Sequence, residues 1–166
     1  MMAYSQVLTD VGLAKIAAAL AGGDPVNITE VAVGDADTTP APGLTALGHE
    51  VWRGDVNAVD PVPAAPSRVR IEGLVPVEDG GWTMREAGAF DADGDLILIA
   101  RIPDTYKPDP GVDGAGVAAY LRLTVEVANA VEAFTLTVDG SVVMATRAYV
   151  DEASVGSLLY AWEHFS

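Results

Sequence analysis

Apolar residues in this chain recur first with a helical period and then with an alternating one. Leu13, Ile16, Ala17 and Leu20 stand at i, i+3, i+4 and i+7, the spacing of one helix face, with Thr9 placed to cap that helix and Gly22-Gly23-Asp24-Pro25 to stop it. From Val26 the period drops to two. Val26 to Val33 predicts a strand whose phase slips at Glu30, the mark of a bulge. Gly34 to Gly48 is polar and contains Pro, which predicts a surface loop; Glu50 to Val56 predicts a strand, and the Pro- and Ala-rich Asn57 to Pro66 a second loop. Arg68-Val69-Arg70-Ile71-Glu72 alternates with its charges outward. After Gly80-Gly81, Trp82 to Phe90 reads as another strand. Asp91 to Asp95 then turns the chain into Leu96 to Ile102, which is apolar on both faces and therefore central in a sheet. Pro103 to Gly116 predicts a third loop. Leu121, Leu123, Val125 and Val127 alternate with polar residues and, after a turn near Ala128-Asn129, predict a hairpin with Phe134, Leu136 and Val138. From Thr146 the helical period returns, with Val155, Leu158, Trp162 and Phe165 on one stripe. The fold class this predicts is α+β: a mostly antiparallel β-body over 1–145 that starts with a helix, then a C-terminal helix over 146–166.

Composition narrows what such a domain can meet. At 166 residues the chain suits one domain with a real core, and its 50% hydrophobic content argues against disorder. Lys and Arg number 9 against 24 Asp and Glu, for a net charge of -15, a surface that repels phosphate backbones and anionic headgroups. Nucleic acid and membrane are therefore not expected partners. No apolar stretch approaches the ~20 residues that span a bilayer, and Met1-Met2-Ala3-Tyr4 does not open a signal peptide, so the expectation is a soluble protein made in a cytoplasm. With no cysteine, disulfides, thiol nucleophiles and cysteine zinc sites are excluded.

Residue patterns that carry chemistry are few. His49 and His164 belong to no HExxH pattern, and no G-x-S-x-G elbow surrounds a serine. The Gly-rich run 111–116 lacks the Lys-Ser/Thr of a phosphate loop. Asp91-Ala92-Asp93-Gly94-Asp95 opens like a calcium loop, but the positions that should hold Gly and Glu are Leu96 and Ile102, and Asp-Gly between two strands favours a turn. Glu86 lies in an apolar strand, where a carboxylate satisfied by backbone donors or a distant Arg is favoured over a catalytic acid. No catalytic residue, metal or cofactor is expected.

Several segments together form a recognisable set. They are Leu8-Thr9-Asp10-Val11-Gly12 with its Ala-rich helix, Val26 to Asp35, Glu50-Val51-Trp52-Arg53, Gly80 to Asp91 with its Trp82-Thr83-Met84-Arg85-Glu86 core, Thr105-Tyr106-Lys107-Pro108 and Ser141 to Asp151. In this order the chain resembles the N-terminal domain of phage tail-collar fibre proteins, over about residues 4 to 151. The resemblance implies a non-enzymatic virion protein that fixes a fibre to the baseplate of a contractile tail or tailocin, normally as a homotrimer, made in the bacterial host cytoplasm and located in the virion tail. It implies baseplate proteins, and a downstream fibre protein, as partners. Family members usually continue into a shaft and receptor-binding tip, and this sequence stops soon after the Ala-Thr-Arg-Ala-Tyr-Val segment, which argues against direct host recognition. Alternatives are a short receptor-binding protein gripping glycan through its Pro/Gly loops and Trp52 or Trp82, and a hydrolase. The stripe Val155, Leu158, Trp162 and Phe165 is expected to serve oligomerisation or docking, with packing on its own domain as the alternative.

Overall fold

The computed structural model describes residues 5–138. The C-terminal helix expected over 146–166, with Val155, Leu158, Trp162 and Phe165, lies outside the described residues, as does the Ser141 to Asp151 motif. In chain order the elements are β1 (Gln6–Leu8), α1 (Asp10–Leu20), β2 (Ile28–Gly34), β3 (Glu50–Asp55), β4 (Ala58–Val62), β5 (Ala65–Val75), β6 (Trp82–Asp91), β7 (Leu96–Lys107), α2 (Pro110–Asp113), β8 (Ala119–Glu126), α3 (Ala130–Ala133) and β9 (Thr137–Val138). They form a five-stranded sheet in the order β1-β7-β6-β2-β3 and a four-stranded sheet in the order β8-β5-β4-β9. All strand pairs are antiparallel. Among the described residues no helix is long and apolar enough to cross a membrane.

The alternating residues of both sheets share one core. Val31, Val33, Ala87, Ala89 and Leu98 of the first sheet and Val59, Val69, Ile71, Leu123 and Val125 of the second are buried in a single cluster, which Ile16, Ala130, Ala133 and Phe134 close at one end. The sheets come so close that a Cβ on Gly73 of β5 would run into the Val31 side chain of β2. On its far side the first sheet buries Ala32, Phe90 and Ile99 under Leu47, with Leu44 packed alongside. The loop 35–49 thus lies over that face.

Helix α1 starts where expected. Thr9 is buried, accepts from Gly12 N at 2.9 Å and donates through Oγ1 to Leu96 O at 2.5 Å. The buried face differs from the expected stripe. Gly12, Ile16 and Ala19 face inward, whereas Leu13 and Leu20 are 46% and 39% exposed. The cause is Gly12: a Cβ there would strike the Ile97 carbonyl, so the helix seats its smallest residue on β7 and the flanking leucines rotate outward.

Other expectations hold or fail for identifiable reasons. The slip at Glu30 is a register shift between Ile28 and Glu30 against β6, and Gly94 turns the β6–β7 hairpin with φ 82. The loop expected over 57–66 is instead the hairpin of β4 and β5. Pro61 is tolerated because β9 pairs only Ala58 and Val59, leaving that edge of β4 open. The loop expected from Pro103 is also shorter, since β7 continues to Lys107 along β6. The expected hairpin of β8 with β9 does not form. β8 pairs with β5 and β9 with β4, because Asn129 (φ 56) turns the chain into α3 and Phe134 bridges to Val26, carrying the chain to the opposite edge of the sheet. Glu72, expected to point into solvent, has no exposed surface.

Candidate functional site

The alternation of β6 places Glu86 on the face covered by the loop 35–49, opposite Gly34 of β2 and Arg101 of β7. The side chain is wholly buried. Its Oε2 accepts from Gly48 N at 3.0 Å and its Oε1 from His49 N at 2.9 Å. This is the carboxylate satisfied by backbone donors that the strand pattern favours. Gly34 makes room for it: a Cβ there would lie 2.5 Å from His49 O and against the Glu86 carboxylate. Charged neighbours fasten the same loop. Arg85 Nη1 donates to Asp35 O at 2.8 Å, and Arg101 pairs with Asp37 and, at 3.2 Å, with Asp104. The exposed His49 places Nδ1 2.5 Å from Asp35 Oδ1, and that hydrogen bond raises its pKa above the ordinary histidine value. A carboxylate whose oxygens are both held by main chain is a clasp rather than an acid or base aimed at a substrate.

The Asp91 to Asp95 turn is held from within. Asp91 Oδ1 accepts from Asp93 N at 3.1 Å and from Asp95 N at 2.9 Å. The carboxylates of Asp91, Asp93 and Asp95 converge closely enough to hold a cation. The cation the chain itself supplies is Lys15 of α1, whose Nζ lies 2.5, 2.9 and 2.7 Å from them. Burial lowers the Lys15 pKa, but hydrogen bonds to Asp91, Asp95 and Asp93 outweigh it and the net shift is upward. The sequence pattern singles out these aspartates and misses their lysine.

The remaining polar motif residues are also engaged inside the fold. Trp52 Nε1 donates to Asp79 Oδ2 at 2.8 Å, and the buried Lys107 donates to Pro76 O at 2.8 Å and Asp79 O at 2.5 Å, closing the turn between β5 and β6. Trp52 and Trp82 both pack against the core. The Arg53 guanidinium stacks 3.7 Å from the Phe90 ring centroid. On the outer side of the second sheet, Arg70 meets Asp60 at 3.2 Å, Arg122 meets Glu72 at 3.3 Å and Arg68 meets Glu126 at 3.0 Å. One opening stands apart, a cleft of about 370 Å³ between the end of β7 and β8, lined by Met84, Ile102, Tyr106, Leu121 and Leu123 among others. Its walls are chiefly apolar, and the Tyr106 hydroxyl is directed to Asp113 Oδ2 at 2.9 Å.

A family model described as phage tail-collar fibre protein, N-terminal, matches residues 1–148. The chain belongs to the phage tail-collar fibre family. A curated relative, the probable tail fiber protein of Escherichia phage P2, is 38% identical over 153 residues, 90% of this chain and 23% of that protein. The tail-collar chain therefore spans about a quarter of the length of the curated relative it matches. No solved structure matches it. Membership places the chain among the structural proteins of phage tail fibres. The described segments among those that carry the tail-collar resemblance are also ones that hold the fold. Thr9 caps α1, Trp52 and Lys107 close one turn, Arg53 stacks on Phe90, and Glu86 clasps a loop.

Proposed function

We propose that this tail-collar domain is an anchor that attaches a tail fibre to the baseplate of a phage or tailocin tail, acting as a homotrimer made in the bacterial host cytoplasm. Beyond family membership, the observation that carries this reading is the internal use of its chemistry-bearing side chains. Glu86, Lys107, Lys15 and Trp52 all spend their polar atoms on the domain itself, which builds a rigid body rather than a reaction site. The same placement removes support from a glycan grip through Trp52, and Trp82 is partly buried against the core. The stripe Val155, Leu158, Trp162 and Phe165 supplies the contact between copies, or to the next protein of the fibre.

The test uses tails purified from a phage lacking its fibre gene. Added purified chain should pellet with them and saturate in multiples of three per attachment point. Failure to bind fibreless tails, together with saturable binding to host envelope polysaccharide, would overturn the anchor reading in favour of a receptor-binding one.

A further inference from the structure

The apolar cleft beside β7 and β8 lies between two strand edges that have no strand partner among the described residues. β8 is the outermost strand of the second sheet. β7 pairs with β6 as far as Lys107, but on its other side β1 covers only Leu98 to Ala100, with one further hydrogen bond from Arg101 N to Ser5 O at 2.7 Å. The cleft opens where that pairing stops. Ile102 and Tyr106 of β7, Leu121 and Leu123 of β8 and the buried Met84 line it. A second opening, lined by Ser5 and Gln6, shares Ile102 and Leu123 with it, so β1 leads straight into the cleft.

We infer that Tyr4 seats its side chain in this cleft, so that the chain itself fills the seam between its two sheets. β1 fixes both the direction and the face. Its register against β7 sets Leu8 opposite Leu98 and Gln6 opposite Ala100, and the same antiparallel step brings Tyr4 opposite Ile102. Side chains alternate along a strand. Leu8 packs on the core that the sheets share, Val7 packs on the far face, and Gln6 Nε2 donates to Thr124 O of β8. Tyr4 follows Leu8 and Gln6 and therefore faces β8 and the cleft. The geometry leaves no choice of occupant, because Tyr4 is bonded directly to Ser5 and consecutive Cα atoms lie ~3.8 Å apart. No spacer stands between them that could carry Tyr4 to another copy. Pro103 has no N–H to extend the ladder, so the side chain of Tyr4, more than any further pairing, holds this segment. A tyrosine suits such a place, with an apolar ring for the walls and a hydroxyl for the wet mouth. The seat is independent of the anchor reading.

The chain has no cysteine, so every thiol in the test is an introduced one. Tyr4→Cys with Ile102→Cys is compared with Gln6→Cys with Ala100→Cys, a pair whose register the structure contains. Because Arg101 and Ser5 form a hydrogen-bonded pair, both of these are facing pairs without mutual backbone bonds. Cα atoms in such pairs lie ~4.5 Å apart, within reach of a disulfide. On oxidation of the full-length chain both should close within one chain, with the linked 4–102 peptides found by mass spectrometry. If 6–100 closes and 4–102 does not, or if 4–102 joins different chains, the inference is overturned. Tyr4→Cys alone gives a second readout that needs no crosslink. Its thiol should react with a soluble disulfide reagent at least about tenfold more slowly than that of Val112→Cys, at a position 82% exposed. Equal rates would overturn the seat even where neither pair closes.

Discussion

Glu86 and Glu72 each lie on the side of their strand turned away from the shared core, each with no exposed surface, and they are satisfied by opposite means. Glu86 accepts from two main-chain amides, Gly48 N and His49 N. Glu72 faces two guanidiniums, with Arg122 Nε at 3.3 Å and Arg70 Nε at 3.8 Å, and also meets the Tyr120 hydroxyl. Backbone donors cannot swing away, so Glu86 fixes where residues 48 and 49 lie and with them the loop over the first sheet. Guanidiniums on long stems adapt, and the Arg122 side chain is 40% exposed and already reaches water. One carboxylate ties a loop to a sheet; the other balances charge along a sheet face. The kind of partner, more than depth of burial, decides which.

Removing room for the clasp should break this contrast most severely. Gly34→Ala would set a methyl 2.5 Å from His49 O and against the Glu86 carboxylate, displacing both. We expect a loss of about 4 kcal/mol, read as a lower urea midpoint, from overpacking together with the lost hydrogen bonds. Glu86→Gln keeps one acceptor and turns an NH2 toward the other main-chain amide, for a loss of about 2–3 kcal/mol. Hydrogen exchange at Gly48 and His49 should quicken in that variant. Glu72→Gln should cost about 1 kcal/mol, because Arg122 can turn to solvent and Arg70 keeps Asp60. Equal costs for Glu72→Gln and Glu86→Gln, with unchanged exchange at 48 and 49, would mean the two sites are not different in kind.

How far the sequence reveals all this depends on the range of the interaction. Strands with clean alternation, the Glu30 bulge and the Asp91 to Asp95 turn are local, and the pattern reads them. Glu86 is legible as a satisfied carboxylate because burying a lone charge in an apolar strand is too costly without hydrogen-bond partners, yet its donors at 48 and 49 are set by tertiary placement. Alternation shows that 121–127 is a strand without showing its partner, which is why the β8–β9 hairpin fails. Prolines hide β4 and the end of β7, since an open edge tolerates what a central strand would not. The period of α1 is helical, but which side is covered depends on how closely Gly12 approaches Ile97. Lys15 meets Asp91 across 76 residues, a separation no local pattern reports.

The smallest effect should come from His49, next to the clasp but outside it. Its Nδ1 sits 2.5 Å from Asp35 Oδ1 with the side chain 69% exposed. The hydrogen bond to Asp35, then the charge of Asp35, raise its pKa above 6.5, and the Glu86 charge adds to this against a small opposing effect of burial. A base whose native pKa is raised stabilises the fold fully below its unfolded value and loses that contribution as pH rises through the native one. Native protein should therefore melt slightly above His49→Gln at about pH 5.5, and the gap should close by about pH 9. Added salt should narrow the gap at the lower pH, because the pair is open to solvent. A gap that holds constant across this range would show that His49 meets Asp35 as a neutral ring and adds no pH-dependent tie to the loop.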